Sequence, residues 1–245
     1  MKLPASFLAL HLAGRFDYWG GAAYHELDDA TRQRLLSERR ALVLWLRGIE
    51  WDTDPSEVAE RSDLRPGVFP FAGNGAGDSF AFYPAWQGES PEPPVIFVPH
   101  DEPTSRYFAP TFALALYRLW LEMGSEWDAE YDGDDRESAL RAWAGILSPI
   151  LVSDTRAELE ALAADPAPDR LAAARDAFLA SLPAKELRAT LPSTKYDPRY
   201  VKGELAKRLY EESVAFYEGL VAEGHARFQE QLDETRKNRD AALVS

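Results

Sequence analysis

The chain has 245 residues, of which 46% are hydrophobic and 28% charged, and its formal net charge is −14. A chain of this length and composition folds as one or two globular domains. Because it contains no cysteine, disulfides, thiolate zinc sites, iron–sulfur clusters and cysteine nucleophiles are excluded. The negative charge repels nucleic acids and anionic membranes and favours a cationic partner, although acidity also serves solubility alone.

Nothing in the sequence predicts export or membrane insertion. The first 16 residues have no small-x-small cleavage site before Arg15, so we expect no signal peptide. The longest apolar run, Phe108 to Leu121, is interrupted by Arg118 and is shorter than the ~20 residues that cross a bilayer. We therefore expect a cytoplasmic protein.

The first half of the chain predicts a helix, two strands and a second helix. Residues Asp28 to Trp51 predict a helix that Gly48 ends. Two stretches of apolar and aromatic residues, Ser79 to Tyr83 and Pro94 to Pro99, predict strands joined by a long, proline-rich hairpin loop. Pro110 then predicts the first turn of a very apolar helix that packs on the sheet.

The second half predicts helices. Residues rich in Ala, Leu, Arg and Glu, punctuated by prolines, predict helices at 136–152, 153–164 and 169–181. Asp197 and Pro198 predict the start of a long amphipathic helix that reaches about Asp240, although three glycines weaken it.

The fold class predicted from these elements is α+β. We expect a curved, mainly antiparallel sheet with packed helices in residues 1–125. A mainly helical extension, residues 126–245, is expected to pack on it, either as a second unit or as part of one continuous domain.

A glycine-rich segment, Gly73 to Asp78, is the first candidate for a ligand site. It lacks the third glycine of a dinucleotide fingerprint and the Lys-Ser/Thr of a phosphate loop, and a strand follows it instead of a helix. Glycines alternating with Asn and Asp favour a tight turn. We therefore interpret the segment as a turn that leads into the strand.

The adjacent residues His100, Asp101 and Glu102 are the second candidate. Neighbouring side chains on an extended strand point to opposite faces, so they rarely converge on one ion. We interpret the triplet as the polar end of a strand and expect no metal, cofactor or catalytic residue. The enzymatic alternative uses His100, Asp101 and Tyr83, and it requires a deep pocket that holds them together.

An acidic run is the third candidate. Seven carboxylates occur within the twelve residues from Glu126 to Glu137, opposed only by Arg136 and interleaved with Trp127 and Tyr131. The run is either a solvated loop or a docking surface with aromatic anchors. The spacing of ligands in a calcium-binding loop is only partly matched by Asp128, Glu130, Asp132, Gly133 and Asp134.

The acidity belongs to the body of the chain. Residues 195–245 contain nine basic and ten acidic residues, a net of −1, so residues 1–194 carry −13 of the total −14. A cationic partner would therefore be attracted mainly to the body.

Three sequence features between Phe69 and Met123 resemble the SUKH superfamily, which contains fungal cell-wall-synthesis regulators and bacterial immunity proteins. They are Phe71-Ala-Gly-Asn-Gly-Ala-Gly-Asp78, Pro94-Val-Ile-Phe-Val-Pro-His-Asp101 and Phe108-Ala-Pro-Thr-Phe112. The resemblance covers under a quarter of the chain. It implies a non-catalytic α+β fold in which loops and one sheet surface bind a partner.

For bacterial members the implied partner is a polymorphic toxin, often a nuclease. A nuclease is cationic because it holds phosphates, so the resemblance and the charge agree on an immunity protein (antitoxin). The alternative is a regulatory or scaffold protein of the same fold that binds a cellular partner. The residues that we expect to contact the partner are Asp101, Glu102, Glu126, Trp127, Asp128, Glu130, Tyr131, Asp132, Asp134 and Asp135.

Overall fold

The computed structural model describes residues 1–13, 49–51, 58, 65–74, 76–126, 136–189 and 203–244. Within these residues an antiparallel sheet is combined with helices, and the C-terminal region is helical, which confirms the predicted α+β class. No helix in the described part of the chain is long and apolar enough to cross a lipid bilayer.

The sheet has six described strands that pair in chain order, each antiparallel to the next. They are β1 (Ile49–Trp51), β2 (Phe69–Asn74), β3 (Ser79–Phe82), β4 (Val95–Val98), β5 (Thr104–Ala109) and β6 (Glu186–Arg188). Strands β3 and β4 confirm the two predicted strands. The flanking strands β2, β5 and β6 were not predicted.

The α-helices of the described residues are α1 (Ala5–Leu12), α2 (Phe112–Ser125), α3 (Arg136–Leu147), α4 (Ser153–Ala164), α5 (Pro168–Ser181), α6 (Glu204–Ala222) and α7 (Gln229–Val244). Helices α3, α4 and α5 confirm the three predictions between residues 136 and 181. Residues Ser148–Ile150 continue α3 as a 3₁₀ turn.

Three boundaries differ from the sequence prediction, and the first is at Trp51. Residues Ile49–Trp51 form β1 instead of ending a helix, because they pair with β2, with Glu50 opposite Gly73. Their apolar-polar-apolar order suits a short strand. The remainder of the predicted helix lies outside the described residues.

The start of α2 is the second difference. Thr111, and not Pro110, defines the start, because the Thr111 hydroxyl accepts a hydrogen bond from the Leu114 amide at 3.2 Å. A threonine side chain at this position satisfies an amide that has no partner within the helix. The helix therefore begins at Phe112.

The third difference is the predicted single C-terminal helix, which the structure divides into α6 and α7. Gly224 has a φ of +91°, a conformation that glycine adopts without strain. The Gly224 amide donates to the Val221 carbonyl at 3.0 Å and the His225 amide to the Leu220 carbonyl at 3.1 Å. These bonds satisfy the last carbonyls of α6 and turn the chain. The predicted start at Asp197 and Pro198 lies outside the described residues.

An aromatic core fills the space between the sheet and α2. Phe71, Phe82 and Phe112 are at most 2% exposed, and their ring centroids lie 4.3–6.0 Å apart. Phe7 of α1 packs edge-on against all three. The predicted packing of the apolar helix on the sheet is confirmed.

Helices α3, α4 and α5 extend the same core. Trp120 of α2 is fully buried, and its indole N–H donates to the Leu140 carbonyl of α3 at 3.0 Å. Gly124 lets α5 approach closely, since a Cβ there would lie 2.6 Å from the end of Leu171. The end of α2 is thus a junction of three helices.

The opposite face of the sheet carries the alternate residues of the strands, among them Ala81, Ile96 and Val98. Arg188 of β6 connects this part of the sheet to α6, because its guanidinium donates to the Glu212 carbonyl at 2.7 Å. The register of β3 and β4 determines which residues meet in the loops at the ends of these two strands.

Candidate functional site

Register brings Asp78 and His100 together. Strands β3 and β4 are antiparallel, with Ser79 opposite Val98. Asp78 immediately precedes Ser79, and His100 follows Val98 by two residues, so both lie at the same end of the strand pair. We call Asp78, His100, Asp101 and Glu102 the acidic corner.

The turn before Asp78 is built from its own side chains. The side-chain Oδ1 of Asn74 accepts hydrogen bonds from the Ala76 amide at 3.1 Å and the Asp78 amide at 2.8 Å. Gly77 has a φ of +97°, and a Cβ at this position would lie 3.2 Å from the Cβ of His100. The turn interpretation is confirmed for the described residues.

Asp78 binds the backbone and the side chain of His100. Its Oδ1 accepts from the His100 amide at 2.9 Å and lies 2.8 Å from Nδ1 of the imidazole. Its Oδ2 accepts a hydrogen bond from Nδ2 of the Asn74 side chain at 2.8 Å. Burial alone would raise the pKa of Asp78, but the hydrogen bonds from His100 and Asn74 outweigh it and hold the pKa below its ordinary value. The carboxylate is therefore charged at neutral pH and fixes the imidazole.

Asp101 and Glu102 point to different surroundings. Asp101 is exposed, and one of its oxygens lies within 4.8 Å of ligand atoms of both Asp78 and His100. The Glu102 carboxylate instead binds the guanidinium of Arg106, four residues further along the chain. The side chains of the consecutive residues Asp101 and Glu102 thus diverge, as predicted. The residue that joins His100 and Asp101 is Asp78, which the sequence analysis did not place with them.

The signal for Asp78 was present in the sequence. Once residues 79–83 and 94–99 are interpreted as a hairpin, the residue before the first strand must lie near the residues after the second. That step joins Asp78 to His100 across 22 positions in the chain.

The structure does not bring the three groups of the enzymatic alternative together. Tyr83 follows the opposite end of β3 from Asp78 and is 8% exposed, on the other face of the sheet. Five residues of extended chain separate the two positions by roughly 16 Å. A cleft of about 330 Å³ is lined by Arg106, Tyr107 and residues 183–186, and not by Tyr83, His100 or Asp101.

The described ends of the acidic run are anchored to the helix junction. Glu126 accepts from Arg175 of α5 at 2.6 Å, and the same guanidinium donates to the Ser125 hydroxyl at 3.1 Å. Arg136, the only cation of the run, donates to the Gly124 carbonyl at 2.6 Å. It therefore binds the end of α2. The other predicted contact residues, Trp127, Asp128, Glu130, Tyr131, Asp132, Asp134 and Asp135, lie outside the described residues.

No protein-family model, curated protein or solved structure matches this chain. The SUKH resemblance therefore stays a prediction, and the acidic corner is interpreted from its own chemistry.

Proposed function

We propose that this protein is an immunity protein, an antitoxin that binds a cationic bacterial toxin directly and neutralises it. The observation that carries the proposal is the acidic corner, where the exposed Asp101 stands on backbone fixed by the Asp78–His100 hydrogen bonds. Because the backbone at His100 is fixed, only the side chain of Asp101 loses conformational freedom when a cation binds it.

Two further carboxylates are also open to a partner: Glu102, which follows Asp101 in the chain, and Glu126 at the end of α2. Glu102 and Arg106 are 46% and 56% exposed, and the Glu126 side chain, bound to Arg175, is 69% exposed. Exposed ion pairs of this kind contribute only about 0–1 kcal/mol. A lysine or arginine of a partner can therefore replace the internal cation at small cost.

The charge of the whole chain supports the same partner. With a net charge of −14, the protein attracts a basic surface over a distance of about one Debye length. A nuclease suits this field because its phosphate-binding cleft is basic. An acidic inhibitor that covers such a cleft competes directly with the nucleic acid.

Co-expression tests the proposal. The protein encoded beside this chain is expressed in a bacterial host with and without it, and growth and complex formation are measured. We expect the neighbouring protein to be toxic alone, and the wild-type chain to restore growth and co-purify with it. The matched variants are Asp101→Lys, the corner variant, and Glu211→Lys in α6, each of which reverses one exposed carboxylate.

Each outcome bears on the proposal. Rescue that the Glu211 variant retains and the corner variant loses supports it. A neighbouring protein that forms a complex but is harmless would contradict it and favour the regulatory or scaffold alternative. Toxicity without rescue or complex would also contradict it.

A further inference from the structure

We propose that Asp78, His100 and Asp101 form a binding site for a divalent transition-metal ion, with Zn²⁺ the best match. One ligand atom of each residue lies within 4.8 Å of those of the other two. Zinc bonds of about 2.0–2.2 Å in tetrahedral geometry place ligand atoms roughly 3.4 Å apart. Closing the group around an ion therefore needs movements of about 1.5 Å at most.

Two of the three ligands are already placed. Asp78 Oδ1 and His100 Nδ1 lie 2.8 Å apart and share a hydrogen bond. A bound ion would replace the shared proton, which is released to solvent, and the two atoms would open to roughly 3.4 Å. The His100 amide and the Asn74 side chain hold the Asp78 carboxylate. The close approach of Gly77 leaves the imidazole packed against the turn. Such supporting contacts orient metal ligands and strengthen binding.

The third ligand is free to move. Asp101 is exposed, and no hydrogen bond or ion pair of its side chain occurs among the described residues. Rotation of this carboxylate towards His100 is therefore the main adjustment that binding requires. Its cost is the rotamer freedom of one short side chain, which is small.

The donor set selects the type of ion. One imidazole nitrogen and two carboxylate oxygens match Zn²⁺ and related first-row ions. Ca²⁺ and Mg²⁺ prefer an all-oxygen shell, so they are expected to bind weakly here. The His100 side chain is 44% exposed, which leaves the remaining coordination position open to water.

Calorimetric titration of the full chain with ZnCl₂, after treatment with a chelator, tests the site. We expect one site in the wild type, and at least about ten-fold weaker binding in His100→Gln and in Asp101→Asn, the usual scale for loss of a supporting or direct ligand. MgCl₂ is the comparison ion. His225→Gln is the matched control, since His225 lies between α6 and α7, and it should bind as the wild type does.

Thermal unfolding of the metal-free variants checks that each is folded, which is expected because both side chains lie at the surface. Zinc binding that both corner variants retain, that His225→Gln abolishes, or that is absent at millimolar ZnCl₂ would overturn the proposal. The free chain is titrated without a partner, so the result is independent of the proposed immunity function.

Discussion

The sheet with α1 and α2 and the C-terminal pair of α6 and α7 are held by different interactions. In the sheet region Phe7, Phe82 and Phe112 are fully buried, and their ring centroids lie 5.2–6.0 Å apart. Fully buried aromatic side chains contribute several kcal/mol each.

In the helical pair, α6 buries apolar residues such as Leu209, Phe216 and Leu220, and exposed contacts also join it to α7. Tyr217 stacks on Phe228 at 6.1 Å, and Arg236 binds Glu218 at 2.8 Å with both side chains more than 40% exposed. Helix α7 does bury Leu232 at 2% exposure. The sheet region therefore contains the larger aromatic core, and the acidic corner lies at the end of two of its central strands.

Replacement of Phe112 by alanine should have the largest effect. It removes a ring that contacts three others, and we expect the free energy of unfolding to fall by about 3–5 kcal/mol. Phe228→Ala, in the half-buried stack of the helical pair, is the control and should cost about 1 kcal/mol. Denaturant titration measures both, and equal losses would refute the contrast between the regions.

Asp78→Asn tests the polar part of the sheet region and should have an intermediate effect. We expect a loss of about 1–2 kcal/mol at pH 7, because hydrogen bonds to a charged acceptor are weakened. The pKa of Asp78 is lowered in the folded state, so its contribution is present above the ordinary value and is lost as the pH falls through the lowered one.

Measurements of wild type and Asp78→Asn from pH 7 to pH 3, with EDTA present, should therefore converge at the acidic end. The variant should show the weaker pH dependence below pH 5. A constant difference between the two curves would show that Asp78 stabilises the fold by packing and not by its charge.

Arg236→Gln should have the smallest effect. The exposed pair with Glu218 contributes about 0–1 kcal/mol, and salt should reduce that contribution further. Thermal unfolding at low and high NaCl concentration measures it. A loss comparable to that of Phe112→Ala would mean that the helical pair depends on its ion pair as strongly as the sheet depends on its core.

The elements that the sequence predicts correctly are those whose own residues strongly favour a strand or a helix. Strands β3 and β4 are dense in aromatic and β-branched residues, and α2 is apolar on nearly every side. Strands β1 and β6 have three residues each and depend on a neighbouring strand for their existence. In β5, Ser105 and Arg106 carry little strand signal and interrupt the residues that do. The strand is therefore recognised only from its pairing with β4.

The candidate site also contains residues that the sequence predicts and contacts that depend on the assembled fold. Exposed Asp101 was predicted as a contact residue from its place after a strand. The predicted hairpin is enough to place Asp78 near Asp101, but their contacts depend on the register of β3 and β4. The pairing of Glu126 with Arg175 depends on the packing of α5 beside α2. Local sequence specifies turns and caps, whereas contacts between distant residues follow only from the assembled sheet and helices.

The rate of association with the protein encoded beside this chain, which we propose to be the toxin, tests the central claim most directly. Stopped-flow measurements at low and high salt compare the wild type with Asp101→Lys, the corner variant, and with Glu211→Lys, which has the same net charge. We expect the corner variant to associate at least about ten-fold more slowly at low salt, with the difference shrinking as salt screens the charges. The Glu211 variant should change little. Equal rates for the two variants at every salt concentration would contradict a docking surface at the acidic corner.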